Sequence, residues 1–154
     1  MIRIIVLDIG PLGLVTHPKP KGEASDCKEW VRQAEIAGCH IMVPEIVDYE
    51  LRRELLRCGK MQGIELLEQF NERYSYIALT TKAMRQAAQF WAQARQEGRP
   101  TSDDKALDGD VILAAQVACL GLPLDSIVVA TTNPGHISRF VQAMHWQEIT
   151  IGEE

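Results

Sequence analysis

Three acids and an amide stand beside apolar runs, where a folded chain would bring polar groups to an edge. Asp8 closes Arg3-Ile4-Ile5-Val6-Leu7-Asp8, and Ile9, Gly10 and Pro11 then break the pattern. Glu50 lies in Val47-Asp48-Tyr49-Glu50-Leu51, on a segment with helical spacing. Asp110 follows Asp108 at the head of Val111-Ile112-Leu113-Ala114-Ala115-Gln116-Val117-Ala118-Cys119, which is apolar nearly all round. Asn133 belongs to Thr131-Thr132-Asn133-Pro134-Gly135-His136, a polar cluster that ends the apolar run Ile127–Ala130. Acids carried close to a protein interior are costly unless they are paired or bind a metal. Each also has an ordinary reading. Asp8 suits a turn or a helix N-cap, Glu50 a solvated pair with Arg53, and Asp108 and Asp110 the first turn of a helix whose dipole they favour.

The elements that must position these groups follow from periodicity. Ile4–Leu7 is too short and too β-branched for a helix and reads as a strand buried on both faces, as in a parallel sheet covered by helices. Ligands of open α/β sheets bind beyond the carboxyl ends of the strands, which is where Asp8 falls. Leu12 to Gly22 is rich in proline and glycine and reads as a connection unable to hold a helix for long, with His17 as a loop residue. A helix is expected from an N-cap at Ser25 to Ala37, with Trp30, Val31, Ala34 and Ala37 on its apolar face. His40–Val43 reads as a second strand. Pro44 suits the first turn of the next helix, which runs to Arg57 with Val47, Leu51, Leu55 and Cys58 inward. A helix from Met61 to Tyr74, a strand at Tyr76–Leu79 and a long helix capped by Thr80 or Thr81 and ending at Gln96 follow. The stretch from Glu97 to Asp104 is a polar loop. Beyond the Asp110 helix come a strand at Ser126–Thr131, a short helix to Phe140 and a closing edge strand near Gln147 to Ile151. The alternation implies one doubly wound α/β domain over residues 1–154.

Composition removes several alternatives. The chain has 154 residues, 46% of them hydrophobic, enough for a core of ordinary size. It holds no apolar run long enough to span a membrane, and its N-terminus lacks the pattern of a secretory signal. Cys27, Cys39, Cys58 and Cys119 are scattered without a C-x-x-C pair, as expected for reduced thiols in a cytoplasmic protein. A net charge of −5 argues against bulk attraction to nucleic acid but leaves room for a local basic patch. No G-x-x-x-x-G-K-[ST] loop is present, Gly10-Pro11-Leu12-Gly13 is a poor dinucleotide turn, and a haloacid-dehalogenase-type phosphotransferase would need an acid where Gly10 stands.

Taken in order, the segments resemble the PIN-domain nucleases, including the VapC toxins of bacterial toxin–antitoxin pairs. The resemblance runs from Ile4 to about Ile149. It rests on Val6-Leu7-Asp8 at the end of the first strand and on Glu50-Leu51 in the helix after the second. It rests also on the D-x-x-x-A-A pattern Asp110-Val111-Ile112-Leu113-Ala114-Ala115 and on the T-x-N element Thr131-Thr132-Asn133. It implies a single PIN-like domain with a mostly parallel, doubly wound sheet, and hydrolysis of RNA phosphodiester bonds. Asp8, Glu50 and Asp110 would hold Mg²⁺ or Mn²⁺, both suited to oxygen ligands. Asn133 would orient water or the scissile phosphate as a fourth catalytic residue. Asn133 departs from the acid found in many relatives, and Asp108, Thr131 and His136 are accessory candidates. Arg53 and Arg57 on the Glu50 helix are candidate RNA contacts, as are Arg52, Arg99 and Lys105, and all of these are equally read as surface charges. The resemblance further implies an RNA substrate, a separate antitoxin protein and a homodimer in the cytoplasm, with no membrane. The alternative is a non-catalytic PIN-like module that binds RNA or a protein. Without metal, three clustered carboxylates repel, and at least one should have a raised pKa.

Overall fold

The centre of the molecule is two strands without an exposed residue, β1 (Ile4–Leu7) and β4 (Ile127–Thr131). Their β-branched residues pack on both faces of a sheet, where each fully buried aliphatic side chain contributes about 1.5–3 kcal/mol. The computed structural model describes residues 1–19, 21–97 and 104–151, without the side chains of 104 and 105. Among them are five strands and six α-helices. The sheet runs β3-β2-β1-β4-β5, with β2 at His40–Pro44, β3 at Ser75–Ile77 and β5 at Ala143–His145. Starting from β1 the chain moves outward through β2 and β3, then returns to lay β4 on the other side of β1. A crevice opens at such a reversal, outside the carboxyl ends of the two central strands. Asp8 follows β1 there and Thr131 ends β4.

The helices are α1 (Ile9–Val15), α2 (Glu23–Ile36), α3 (Glu45–Arg57), α4 (Met61–Arg73), α5 (Thr81–Gln96) and α6 (Asp104–Ala118). The main core joins the sheet to α1, α2, α3 and one side of α6, while Leu107, Val111 and Ala115 of α6 meet Ala83, Ala87 and Ala94 of α5 in a second cluster. Among the described residues no helix is long and apolar enough to cross a membrane.

Several expectations need correction. The sheet is not mostly parallel with a closing edge strand near Gln147 to Ile151. All four strand pairings are parallel, and the last strand is Ala143–His145, followed by a 3₁₀ turn at Trp146–Glu148. Residues 143–145 are too few to show a period of two. The supposed loop after β1 begins as α1, because Asp8 caps it and Pro11 falls in the first turn, where a missing N–H has no helical partner to lose. The second helix starts at Glu23, capped by Gly22 at φ +56°, not by Ser25. Pro44 caps α3 from outside, and Thr80 caps α5 by accepting a hydrogen bond from the Ala83 N–H at 3.0 Å. The Asp110 helix begins at Asp104, so Asp108 is an interior residue and not an N-cap. Arg99 and most of the polar loop lie outside the described residues, as does the Lys105 side chain.

Candidate active site

Asp8 is fixed by both of its carboxylate oxygens. The Ile9 N–H donates to Oδ1 at 2.8 Å, and the Thr131 hydroxyl donates to Oδ2 at 2.7 Å. Thr131 is 1% exposed, and its Oγ1 also accepts the Asn133 N–H at 3.0 Å. One buried hydroxyl thus sets the rotamer of Asp8 and shapes the loop after β4. The two strand ends meet closely. A Cβ on Gly10 would stand 2.6 Å from the Thr132 side chain, so only glycine lets α1 start where it does. Burial raises the pKa of Asp8, against the lowering effect of the Thr131 and Ile9 hydrogen bonds.

Glu50 comes from α3, whose first turn is held by buried polar groups. Gln116 of α6, 2% exposed, accepts the Ile46 N–H at 3.2 Å and donates to the Ile77 carbonyl at 2.8 Å. Glu45 accepts the Leu79 N–H at 2.7 Å. These bonds satisfy otherwise orphaned backbone groups and fix α3 against α6 and the end of β3. Glu50 then faces Gly109, where a Cβ would lie 2.9 Å from its Oε2. Burial raises the pKa of Glu50, the charge of Asp8 raises it further, and Arg53 partly offsets them.

Asp110 follows Gly109 on α6, among the fully buried Leu107, Ala114 and Ala115. Its pKa is pushed up to about 7, first by burial, then by the charges of Asp8 and Glu50. Three carboxylates from three elements therefore share one electrostatic environment at the carboxyl ends of β1 and β4. Among the described residues no three acid, histidine or cysteine side chains are gathered closely enough to ligate a metal ion as they stand. The donor set is nevertheless all oxygen, and its charge lacks a locked cationic partner. That chemistry suits Mg²⁺ or Mn²⁺ once the carboxylates converge.

The remaining sequence candidates separate. Asn133 is exposed on the loop after β4, and its carboxamide forms no hydrogen bond to the three acids among the described residues. His136 is half-buried at the head of a 3₁₀ turn and does not cap it with its side chain. Asp108 is exposed at the rim, and the charges acting on Asp110 are those of Asp8 and Glu50. Arg53 lies beside Glu50. Arg57 lies about two helical turns beyond Glu50 on α3, paired with Glu54 at 2.9 Å, and Arg52 is held by Asp48 and Glu68. Gly109 and Gln116 carried no chemical signal in the sequence. A glycine between two acids and a glutamine in an apolar helix are the marks that could have found them.

Neither a protein-family profile nor a curated protein matches the sequence. Solved structures do match in fold. A chain of VapBC2 from Rickettsia felis, bound to a DNA fragment from its promoter, superposes with a TM-score of 0.68 at 17% identity, covering 93% of this chain and 98% of that one. FitAcB from Neisseria gonorrhoeae gives 0.67 at 21%, covering 94% and 99%. DNA-bound VapBC from Salmonella typhimurium gives 0.66 at 17%, covering 95% and 99%. At these identities the likeness is one of fold. Among the described residues a wholly parallel five-stranded sheet with six α-helices replaces the fold class expected from the sequence.

Proposed function

We propose that this chain is a divalent-metal-dependent ribonuclease related to the PIN-domain toxins, acting in the cytoplasm as the toxin of a VapBC-type pair with a separate antitoxin. The observation that carries the reading is the shared electrostatics of Asp8, Glu50 and Asp110, three half-buried acids left without a locked cation at the strand-end crevice. The fold likeness to chains of VapBC and FitAcB complexes supports the toxin–antitoxin part.

In this reading Asp8, Glu50 and Asp110 hold Mg²⁺ or Mn²⁺, which when bound supplies charge stabilisation for in-line phosphodiester hydrolysis. Thr131 keeps the Asp8 carboxylate aimed into the crevice. Asp110, its pKa pushed up to about 7 by burial and by the charges of Asp8 and Glu50, must release its proton before it can serve as a ligand. Asn133, on the loop after β4, would offer an amide able to hydrogen-bond a phosphate oxygen or a water.

The test is cleavage of a mixed RNA pool by purified protein in Mn²⁺, Mg²⁺ or EDTA, beside Asp8→Asn. Metal-dependent cutting that disappears in the variant is expected. No cutting in any condition, with neither metal raising the melting temperature, would replace the enzyme with a module that binds RNA or a protein.

A further inference from the structure

The mouth of the acidic crevice carries a feature that neither the core nor the three acids explain. Tyr49, the residue before Glu50, is 56% exposed, and the Arg53 guanidinium sits over its ring with Cζ 5.1 Å from the centroid. The two residues are one helical turn apart, so α3 itself holds the stack. Arg53 also differs from its neighbours. Arg52 is locked to Asp48 and Glu68, and Arg57 to Glu54, whereas Arg53 forms no ion pair among the described residues. Tyr49, Arg53, Glu50 and Asp108 line one shallow hollow of about 200 Å³. That is smaller than the several hundred Å³ of a pocket that encloses a small molecule, and it suits one planar group laid against a wall.

Resting on the ribonuclease reading, we infer that Tyr49 and Arg53 form a base-stacking platform that receives one unpaired nucleobase of a single-stranded RNA beside the scissile phosphate. An exposed ring with a cation already on it offers a flat surface at little ordering cost, and any base can add to it because every base has a π face. The guanidinium keeps N–H donors for the adjoining phosphate, which the acids beside it would otherwise repel. The platform selects single strands, since a duplex keeps its bases stacked inside. It also supplies the local attraction that a chain of charge −5 lacks overall.

The experiment measures binding of a short, labelled, mixed-sequence single-stranded RNA and of its blunt duplex by fluorescence anisotropy. The proteins are wild type in EDTA, Tyr49→Ala, Tyr49→Phe and Arg53→Ala, each checked for an unchanged melting temperature. Cleavage kinetics are taken in Mn²⁺. Tyr49→Ala is expected to weaken single-strand binding about tenfold or more, as loss of one stacked base does. It should raise KM more than it lowers kcat, with duplex affinity unchanged and Tyr49→Phe close to wild type. Wild-type binding and cleavage that persist in Tyr49→Ala would overturn the platform alone and leave this face to a protein partner. Equal losses for single strand and duplex would overturn it too. A wild-type protein that neither binds nor cuts RNA would overturn the platform together with the ribonuclease reading.

Discussion

Two of the acids on helix α3, two residues apart, stand in opposite circumstances. Asp48 is 7% exposed and fully served. Arg52 donates to both of its oxygens at 3.0 Å, and Asn71 of α4 adds a third hydrogen bond at 2.7 Å. Glu50 is partly buried, has no such partner, and shares its surroundings with Asp8 and Asp110. The chain evidently can neutralise a buried acid with a bidentate arginine from the next turn of the same helix. At the crevice it gathers three acids and leaves Arg53 turned onto a tyrosine. The first arrangement holds α3 against α4, and the second stores unfavourable charge where a ligand would relieve it. Stability sacrificed at one place while it is secured nearby is a physical mark of a site.

The sharpest way to break this contrast is to remove a charge from the second arrangement. Asp110→Asn should lower metal-dependent cleavage by at least about a hundredfold, since even indirect disturbance of a metal ligand costs tenfold to a hundredfold. The same change should stabilise the metal-free protein above neutral pH. Between pH 3.8, the ordinary value for aspartate, and about 7, the folded protein keeps a proton that the unfolded chain releases. Wild-type stability therefore falls as pH rises through that window and levels off above about 7, while asparagine does not titrate. Melting curves should coincide near pH 4 and diverge towards pH 8 with the variant higher. A variant less stable at pH 8 would show that Asp110 is compensated after all.

In the served arrangement the same operation has the opposite sign. Asp48→Ala strands the Asn71 amide, leaves the Arg52 guanidinium with Glu68 alone and should cost about 2 kcal/mol, at the low end for a broken pair because Arg52 keeps Glu68 and still reaches water. Chemical denaturation reads the loss, and cleavage per folded molecule should be unchanged. Gly109→Ala sharpens the comparison further, because its two effects oppose each other. Alanine favours a helix interior over glycine by about 1 kcal/mol, but its Cβ would meet the Glu50 carboxylate at 2.9 Å. Higher helix stability with cleavage down about tenfold is expected, since small misplacements at a reacting site are expensive. Full activity would mean that Glu50 can move aside freely and is not held in its working position.

How much of this was legible in the sequence depends on range. The buried strands β1 and β4 declare themselves by unbroken β-branched runs, and the placement of Asp8 at a strand end follows directly. The segment around Asp110 reads as a buried helix because it is apolar on every side. Its start is not legible, because Asp108 looks like a cap and nothing local says that the helix begins at Asp104. Helix α1 was hidden by Gly10-Pro11-Leu12-Gly13, since a proline in a first turn and a proline in a break look alike until the cap is known. The three residues of β5 carry no periodic signal at all. Within the site the residue types were readable. The clearance at Gly109 and the bracket of Gln116 between Ile46 and Ile77 depend on elements that meet only after folding.

The Thr131 hydroxyl is the strongest case of such a long-range dependence and the subtlest test. It lies 123 positions from Asp8 in the chain, yet it restrains one oxygen of that carboxylate and accepts the Asn133 N–H. Thr131→Val keeps the branched shape that a buried strand end needs and deletes only the donor and acceptor. Asp8 then loses a hydrogen bond that favours its ionised form, so its already raised pKa must rise further. The acid limb of the pH–rate profile should shift towards higher pH, and cleavage at neutral pH should fall severalfold, in keeping with a net hydrogen-bond worth of about 1 kcal/mol. Thr131→Ser, which restores the hydroxyl, should recover most of the loss. If valine and serine behave alike, the hydroxyl is a packing detail, and Asp8 is held by the α1 cap alone.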